Sequence, residues 1–367
     1  MIQSSPQAGA EAVGYLPCRT GKGIPMMLIS VQALRALAAW VVVGHHFIQV
    51  FFEFDVDTPL AYLFADKGGV GVDIFFVISG LVIFLATVDK ALTPWQFMLM
   101  RLARIAPAYW FYTLLMALLV LTVPSMFPEA RLVPSHVLLS LLFIPAENPG
   151  GYGVYPLLDI GWTLNFEMLF YVLFAFALWV RGSYRLWAVA GLLYLVCCII
   201  GPALNLASGF YSNDIVLEFL MGIVIGMLYR RGLCRARAWL PLSGIALALA
   251  AIYHGADVPR ALEWGLPSAV LVISCVTLEP YFQGSRVLKM LGDCSYSVYL
   301  IHVLVLCAGL WVVKRTGIDP YAMLPVCIVL TALCAFASYH WLEKSTYRTL
   351  KRWFGIEDPT VLSRQKY

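Results

Sequence analysis

Long apolar runs recur along this chain with little between them, and that feature limits its fold more than any other. About ten stretches of roughly 17 to 25 mostly apolar residues are joined by short polar loops, the length a helix needs to cross the hydrocarbon core of a bilayer. Of 367 residues, 61% are hydrophobic and 13% charged, against about a quarter charged in soluble domains. A soluble globule could not bury so many long apolar segments, so the chain reads as an all-α, polytopic membrane protein. The net charge of +4 is small and no basic run is interleaved with aromatic residues, so no nucleic-acid footprint is present. Cys197, Cys198, Cys275, Cys307, Cys327 and Cys334 lie inside apolar runs, where cysteine behaves as a small hydrophobe. No CxxC or Cys/His ligand spacing occurs, and no metal is expected.

Apolar runs read against helix breakers predict spans near 29–52, 68–88, 105–123, 161–180, 184–204, 212–230, 238–254, 262–279, 294–313 and 321–342. A further run from Ser135 to Ala146, framed by Pro134 and Pro145, is short for a crossing and predicts a re-entrant or interfacial helix. Loop charge supports leaving it out of the count. Nineteen of the 25 Lys and Arg then fall on one side, Lys67, Arg131, Arg260, Lys314 and Arg315 fall on the other, and Arg35 lies inside the first span. Since cytoplasmic loops hold the positive excess, the expectation is ten transmembrane helices with both termini cytoplasmic. Residues 1–28 form a cytoplasmic N-terminal tail, 29–342 the membrane domain and 343–367 a basic cytoplasmic C-terminal tail. The first 28 residues lack the apolar core of a cleaved signal peptide, so the first span is expected to direct insertion.

A charge at mid-span costs roughly 2.5 to 3.5 kcal/mol on insertion scales, so ionisable residues there are functional candidates. They are few: Arg35, His45, His46, Asp73, Glu167, Glu218 and His302, with Glu263 and His340 near span ends. Counting from the predicted outer ends puts His46, Asp73 and Glu167 at one level, roughly 8 to 9 Å below the outer surface, with Glu218 close to it. A base beside two acids is what proton abstraction calls for, because a carboxylate orients imidazole and stabilises its cation. The plainer alternative is a polar cluster that pairs helices. Arg35 lies about three turns, roughly 16 Å, from His46 on nearly the same stripe. Arg101 and Arg104 share one helix face and could grip phosphates or act as positive-inside anchors. Gly68-Gly69-Val70-Gly71 has no Gly-Lys-Ser/Thr and reads as a tight bend, not a nucleotide loop. Ser79-Gly80 reads as a small-residue packing site, since a nucleophilic serine would need a base beside it.

Five motifs, taken in order, resemble the acyltransferase 3 family of membrane acyltransferases. They are Leu34-Arg-Ala-Leu-Ala38 through His46, Gly71-Val-Asp73-Ile-Phe-Phe-Val-Ile-Ser79-Gly80, Arg101-Leu-Ala-Arg104-Ile-Ala-Pro107, Trp162-Thr-Leu-Asn-Phe-Glu167-Met-Leu-Phe-Tyr171 and Ser295-Tyr296-Ser-Val-Tyr299-Leu-Ile-His302. The resemblance runs from about Ser30 to Glu343, and the Trp162 to Tyr171 stretch is most similar to bacterial exopolysaccharide acetyltransferases of the succinoglycan type. It implies transfer of an acyl group, usually acetyl from acetyl-CoA, to a hydroxyl of a surface polysaccharide or lipid-linked sugar. The setting would be the bacterial inner membrane, beside polysaccharide biosynthesis machinery. An arginine, ten residues and a histidine match Arg35 and His46 and favour His46 over His45; the family's donor-handling Arg-x-x-Arg falls on Arg101 and Arg104. His46 would act as base or acyl carrier, Asp73 or Glu167 would orient it, and Trp162, Ser79, Tyr296 and His302 would support the site. The usual Trp-Ser-Leu-x-x-Glu appears with Thr163 in place of serine, and the terminal Glu-x-Pro appears as Glu343-Lys344-Ser345. The competing class is a proton-coupled transporter or polysaccharide exporter, against which stands the lack of an internal repeat.

Overall fold

The computed structural model describes residues 27–90, 92–180 and 184–354. Most of the expected N-terminal tail, Arg181 and the end of the C-terminal tail lie outside the described residues. Among those described, the regular elements are helices, with one isolated bridge between Glu147 and Val154. In chain order they are α1 (Ile29–Phe52), α2 (Pro59–Lys67), α3 (Val70–Thr87), α4 (Pro94–Thr122), α5 (Pro134–Leu141), α6 (Trp162–Ala177), α7 (Tyr184–Tyr194) and α8 (Gly201–Leu204). There follow α9 (Leu217–Arg230), α10 (Trp239–His254), α11 (Leu266–Thr277), α12 (Glu279–Phe282), α13 (Arg286–Thr316), α14 (Pro320–Ser338) and α15 (Thr346–Trp353).

Among the described residues, seven helical segments are long and apolar enough to cross a bilayer: α1, α3, α4, Asp159–Ala177, Tyr184–Leu204, α13 and Pro320–Trp353. Leu206–Ser212 and Asp214–Arg230, bent by 48°, make an eighth if they form one span. Trp239–His254 and Ala261–Thr277 are apolar but shorter. The Pro134–Leu141 helix is eight residues long and is not one of the spans. The chain is therefore a multi-pass helical membrane protein.

Two helices begin well before the apolar pattern predicts, because their first turns are polar. The α4 helix begins at Pro94 rather than 105: Thr93 Oγ1 accepts from the Gln96 N–H while the Gln96 side chain accepts from the Thr93 N–H. That reciprocal cap satisfies two donors at the helix start, and hydropathy alone does not register it. The α13 helix begins at Arg286 rather than 294, with Ser285 Oγ accepting from the Leu288 N–H. These early turns carry Arg101, Arg104 and Asp293, which reappear in the site.

Close helix contact depends on small residues, since apolar side chains gain little by leaving lipid. Where α3 crosses α9, a Cβ on Gly80 would stand 2.0 Å from the Phe219 carbonyl oxygen, and one on Gly222 2.0 Å from that of Val77. The α1 helix packs against α13 and α3. Its first N–H groups, at Ile29 and Ser30, donate to the Glu279 carboxylate at 2.9 and 2.8 Å. A carboxylate there satisfies orphan donors and meets the positive end of the helix dipole.

Ion pairs and hydrogen bonds sort the two ends of the bundle. At one end Arg230 pairs with Asp89, Lys289 with Asp293, and Gln32 Nε2 donates to Asp293 Oδ1 at 2.8 Å. At the other, Arg260 pairs with Asp73, His45 Nδ1 lies 2.9 Å from the Phe64 carbonyl, and Arg315 reaches Ser125. The first is the end that the loop charges make strongly positive.

Candidate active site

A cavity of about 900 Å³ enters the bundle from this basic end. Lys90, Gln96, Tyr347 and Lys351 border its outer part, and Arg35, Arg101 and Arg104 line it further in. Arg104 is solvent-exposed although it sits within a spanning helix. Arg101 lies 5.4 Å from the centre of the Phe97 ring and 5.9 Å from that of Tyr171, held by cation–π attraction. Arg35 Nη1 donates to Gln32 Oε1 at 3.2 Å. Five cations, Arg35, Arg101, Arg104, Lys90 and Lys351, line the cavity against two carboxylates, Glu167 and Asp293, and this positive excess inside an apolar bundle suits an anionic occupant.

Glu167 and Ser79 face the same cavity. Ser79 Oγ donates to Glu167 Oε1 at 2.9 Å, and the Tyr171 hydroxyl donates to the same oxygen. Tyr296 also lines the cavity and donates from its hydroxyl to the Ile105 carbonyl at 2.9 Å. The deep end is closed by Phe75, Thr163 and Tyr299. Tyr299 Oη and Thr163 Oγ1 lie 2.8 Å apart and 2.8 and 3.1 Å from the Ile160 carbonyl, so one hydroxyl donates to the carbonyl and the other donates to that hydroxyl. Phe75 and Tyr299 have ring centres 6.2 Å apart.

Just behind that wall lies a pair of histidines. The His302 ring is centred 5.8 Å from that of Tyr299 and 5.0 Å from that of His46. His302 is fully buried and His46 half-buried. Their partners select one tautomer for each ring. His302 Nδ1 is 3.2 Å from the Val298 carbonyl, which only accepts, so this nitrogen carries the proton and Nε2 is left with its lone pair. His302 Nε2 faces His46 Nδ1 at 3.1 Å, and His46 Nδ1 is also 3.1 Å from the Val42 carbonyl. Both neighbours are acceptors, so His46 Nδ1 is the donor and His46 Nε2 is bare, ready to receive a proton.

The site residues do not converge at one depth. Glu167 bonds Ser79, six residues beyond Asp73 on α3, so it lies roughly 9 Å deeper than Asp73. The depth count took α6 to start at the bundle's outer surface. Instead the chain ahead of it is buried, with Leu157, Leu158 and Ile160 at 2%, 0% and 1% exposure, and the helix begins inside. Asp73 is engaged elsewhere: Arg260 Nε and Nη2 donate to its two oxygens at 2.9 and 2.8 Å, and Glu218 is buried beside it. Trp264 stacks on the Arg260 guanidinium at 4.6 Å. The ring that faces His46 Nδ1 is therefore His302, with neither carboxylate in that position. Trp162 packs edge-to-face on Phe166 and lies outside the cavity lining.

Glu343 and Tyr171 stand within the motifs resembling the family, and motif reading assigns neither a role in the site. Glu343 is buried, accepts from Ser297 Oγ at 2.5 Å and acts electrostatically on Arg104 and Arg35. Tyr171 stands one helical turn after Glu167, and that i, i+4 spacing was a signal available in the sequence. Among the described residues, no three His, Cys, Asp or Glu side chains are grouped closely enough to hold a metal ion.

A polytopic helical bundle with a basic cavity beside a histidine pair has the features of a membrane enzyme. The chain belongs to the acyltransferase 3 family, whose acyltransferase domain matches residues 28–340, and it is accordingly an acyltransferase. It is 33% identical over 288 residues to the exopolysaccharide production protein ExoZ of Rhizobium meliloti (strain 1021), covering 77% of this chain and 90% of that one. The acyltransferase MdmB of Streptomyces mycarofaciens is 26% identical over 355 residues, covering 83% of this chain and 89% of MdmB. YrhL of Bacillus subtilis (strain 168), named as a candidate peptidoglycan O-acetyltransferase, is 26% identical over 359 residues, 85% of this chain and 54% of YrhL. No solved structure matches the chain.

Proposed function

We propose that this protein transfers an acyl group, acetyl from acetyl-CoA, to a hydroxyl of a surface polysaccharide or lipid-linked sugar at the bacterial inner membrane. The observation that carries the reading is the basic cavity whose deep wall, Tyr299, adjoins His302 and through it His46. With ten crossings and both termini cytoplasmic, the basic end faces the cytoplasm, where acyl-CoA is made. The CoA phosphates stay near Arg101 and Arg104, and the thin pantetheine arm extends past Arg35. Tyr299 and Phe75 give way to let the thioester reach His46.

The acceptor approaches from the opposite end, where His46 retains some exposure. His46 Nε2 takes the hydroxyl proton as the oxygen attacks the thioester carbon. When the tetrahedral intermediate collapses, the C–S bond breaks, and the imidazolium returns its proton to the leaving thiolate to give free CoA. His302 accepts from His46 Nδ1 throughout, keeps the reactive nitrogen aimed, and helps to carry the positive charge as it forms. Glu167, tethered by Ser79 and Tyr171, balances the cavity's guanidinium groups. Asp73, paired with Arg260, holds the outer part of the bundle in register.

ExoZ is named for exopolysaccharide production, and that name supports a polysaccharide acceptor for this chain. The test is to incubate membranes containing the protein with acetyl-labelled acetyl-CoA and candidate glycans. Covalent label on a glycan, absent with His46→Ala, is the expected result. Passage of glycan across the membrane without modification would overturn the reading.

A further inference from the structure

The last described helix forms one wall of the cavity. The π-helical stretch Tyr339–Ser345 joins α14 to α15, so the chain stays helical to Trp353, past the residue at which a basic tail was expected. Ser345 stands where the family pattern puts proline. A proline would deny the helix a donor and push the preceding residue out of helical conformation. The α15 helix packs against α4, the helix that carries Arg101 and Arg104.

Tyr347 and Lys351, one helical turn apart, line the cavity, while Arg348, Arg352 and Trp353 face outward. Lys351 is half-buried and takes part in none of the salt bridges formed among the described residues. The ammonium of Lys351 is thus poised at the cavity's entrance, with Arg101 and Arg104 further in. Buried Glu343 anchors the approach to α15 through Ser297.

We propose that α15 completes the site for the phosphorylated nucleotide end of the acyl donor, with Lys351 contacting a phosphate and Tyr347 packing against the nucleotide. This rests on the reading that acyl-CoA is the donor. The pantetheine arm then passes Arg101 and Arg104 on its way inward. A lipid headgroup phosphate offers Lys351 the same chemistry, and the test separates the two sources.

Full-length Lys351→Ala, Lys351→Arg and Tyr347→Ala are compared with the wild type in membranes. For Lys351→Ala, the KM for acetyl-CoA is expected to rise about tenfold with kcat nearly unchanged, as for loss of one charge-assisted hydrogen bond. Inhibition by 3′,5′-ADP, the nucleotide end alone, weakens in parallel. Inhibition by pantetheine, which lacks phosphates, stays the same, and Lys351→Arg retains wild-type values. Tyr347→Ala weakens inhibition by 3′,5′-ADP and leaves that by pantetheine as it was. Unchanged inhibition by 3′,5′-ADP would overturn the proposal. So would an equal loss for 3′,5′-ADP and pantetheine, or an effect that follows the content of anionic lipid. If wild-type protein shows no saturable dependence on acetyl-CoA, the donor reading itself fails, a result distinct from a failure of α15 alone.

Discussion

In the proposed mechanism His46 owes its role to two neighbours that accept a hydrogen bond from the same nitrogen. The Val42 carbonyl and His302 Nε2 both face Nδ1, so Nε2 is the nitrogen left to act as base. His46→Ala should reduce transfer by about 10²- to 10⁴-fold, the usual contribution of a positioned acid–base group, as measured by labelled acetate on glycan at equal protein in the membrane. His302→Gln keeps an acceptor toward His46 Nδ1 and should retain more activity than His302→Leu. Equal rates for those two variants would assign His302 to packing alone. Arg101→Ala combined with Arg104→Ala should raise the KM for acetyl-CoA, and an unchanged dependence would return both to anchoring. The Asp73–Arg260 pair lies outside the cavity. Arg260→Ala leaves a fully buried carboxylate uncompensated and should cost about 3 to 5 kcal/mol. Thermal unfolding in detergent checks this, with partial recovery expected in Arg260→Ala combined with Asp73→Asn.

At the scale of the helix, the α3–α9 crossing holds one wall of the cavity, since Ser79 precedes the glycine that touches α9. Gly222→Leu would drive a side chain into the Val77 carbonyl, and overpacking of this kind costs about 1 to 3 kcal/mol or more. Lower yield and a lower unfolding temperature in detergent are expected, with transfer per folded molecule also reduced because Ser79 and Glu167 shift apart. Helix starts matter as much as helix crossings. The apolar pattern located α4 and α13 but not their polar first turns, since hydropathy averages over the residues that cap a helix or line a cavity. Thr93 and Gln96 spelled out a capping box in the sequence; read for caps as well as for apolarity, it would have placed the start at Pro94.

For the molecule as a whole, charge separates the two ends. Arg230 ends α9 and Arg231, Arg235 and Arg237 lie between it and α10, whereas the Asp257 loop and Arg260 lie at the opposite end of α10. An alkaline phosphatase domain fused after Asp257 should therefore be active, and one fused after Gly232 inactive. The reverse pattern would invert the orientation and place the basic cavity away from the acyl-CoA pool.

The sequence alone was enough to establish a helical, polytopic membrane protein of the acyltransferase 3 family, because length, apolarity and motif order are properties of the string. It also singled out Arg35 and His46, because ionisable residues inside an apolar run stand out without coordinates, and Arg101 and Arg104, which share one helix face ahead of such a run. Only the tertiary structure decided who partners whom. His46 meets His302 from 256 residues away, Asp73 meets Arg260, and Glu167 sits deeper than its predicted span end implied. Spacing fixes a residue's height within its own helix. How far that helix is sunk, and which face it turns to its neighbours, depends on packing contacts between segments distant in the chain.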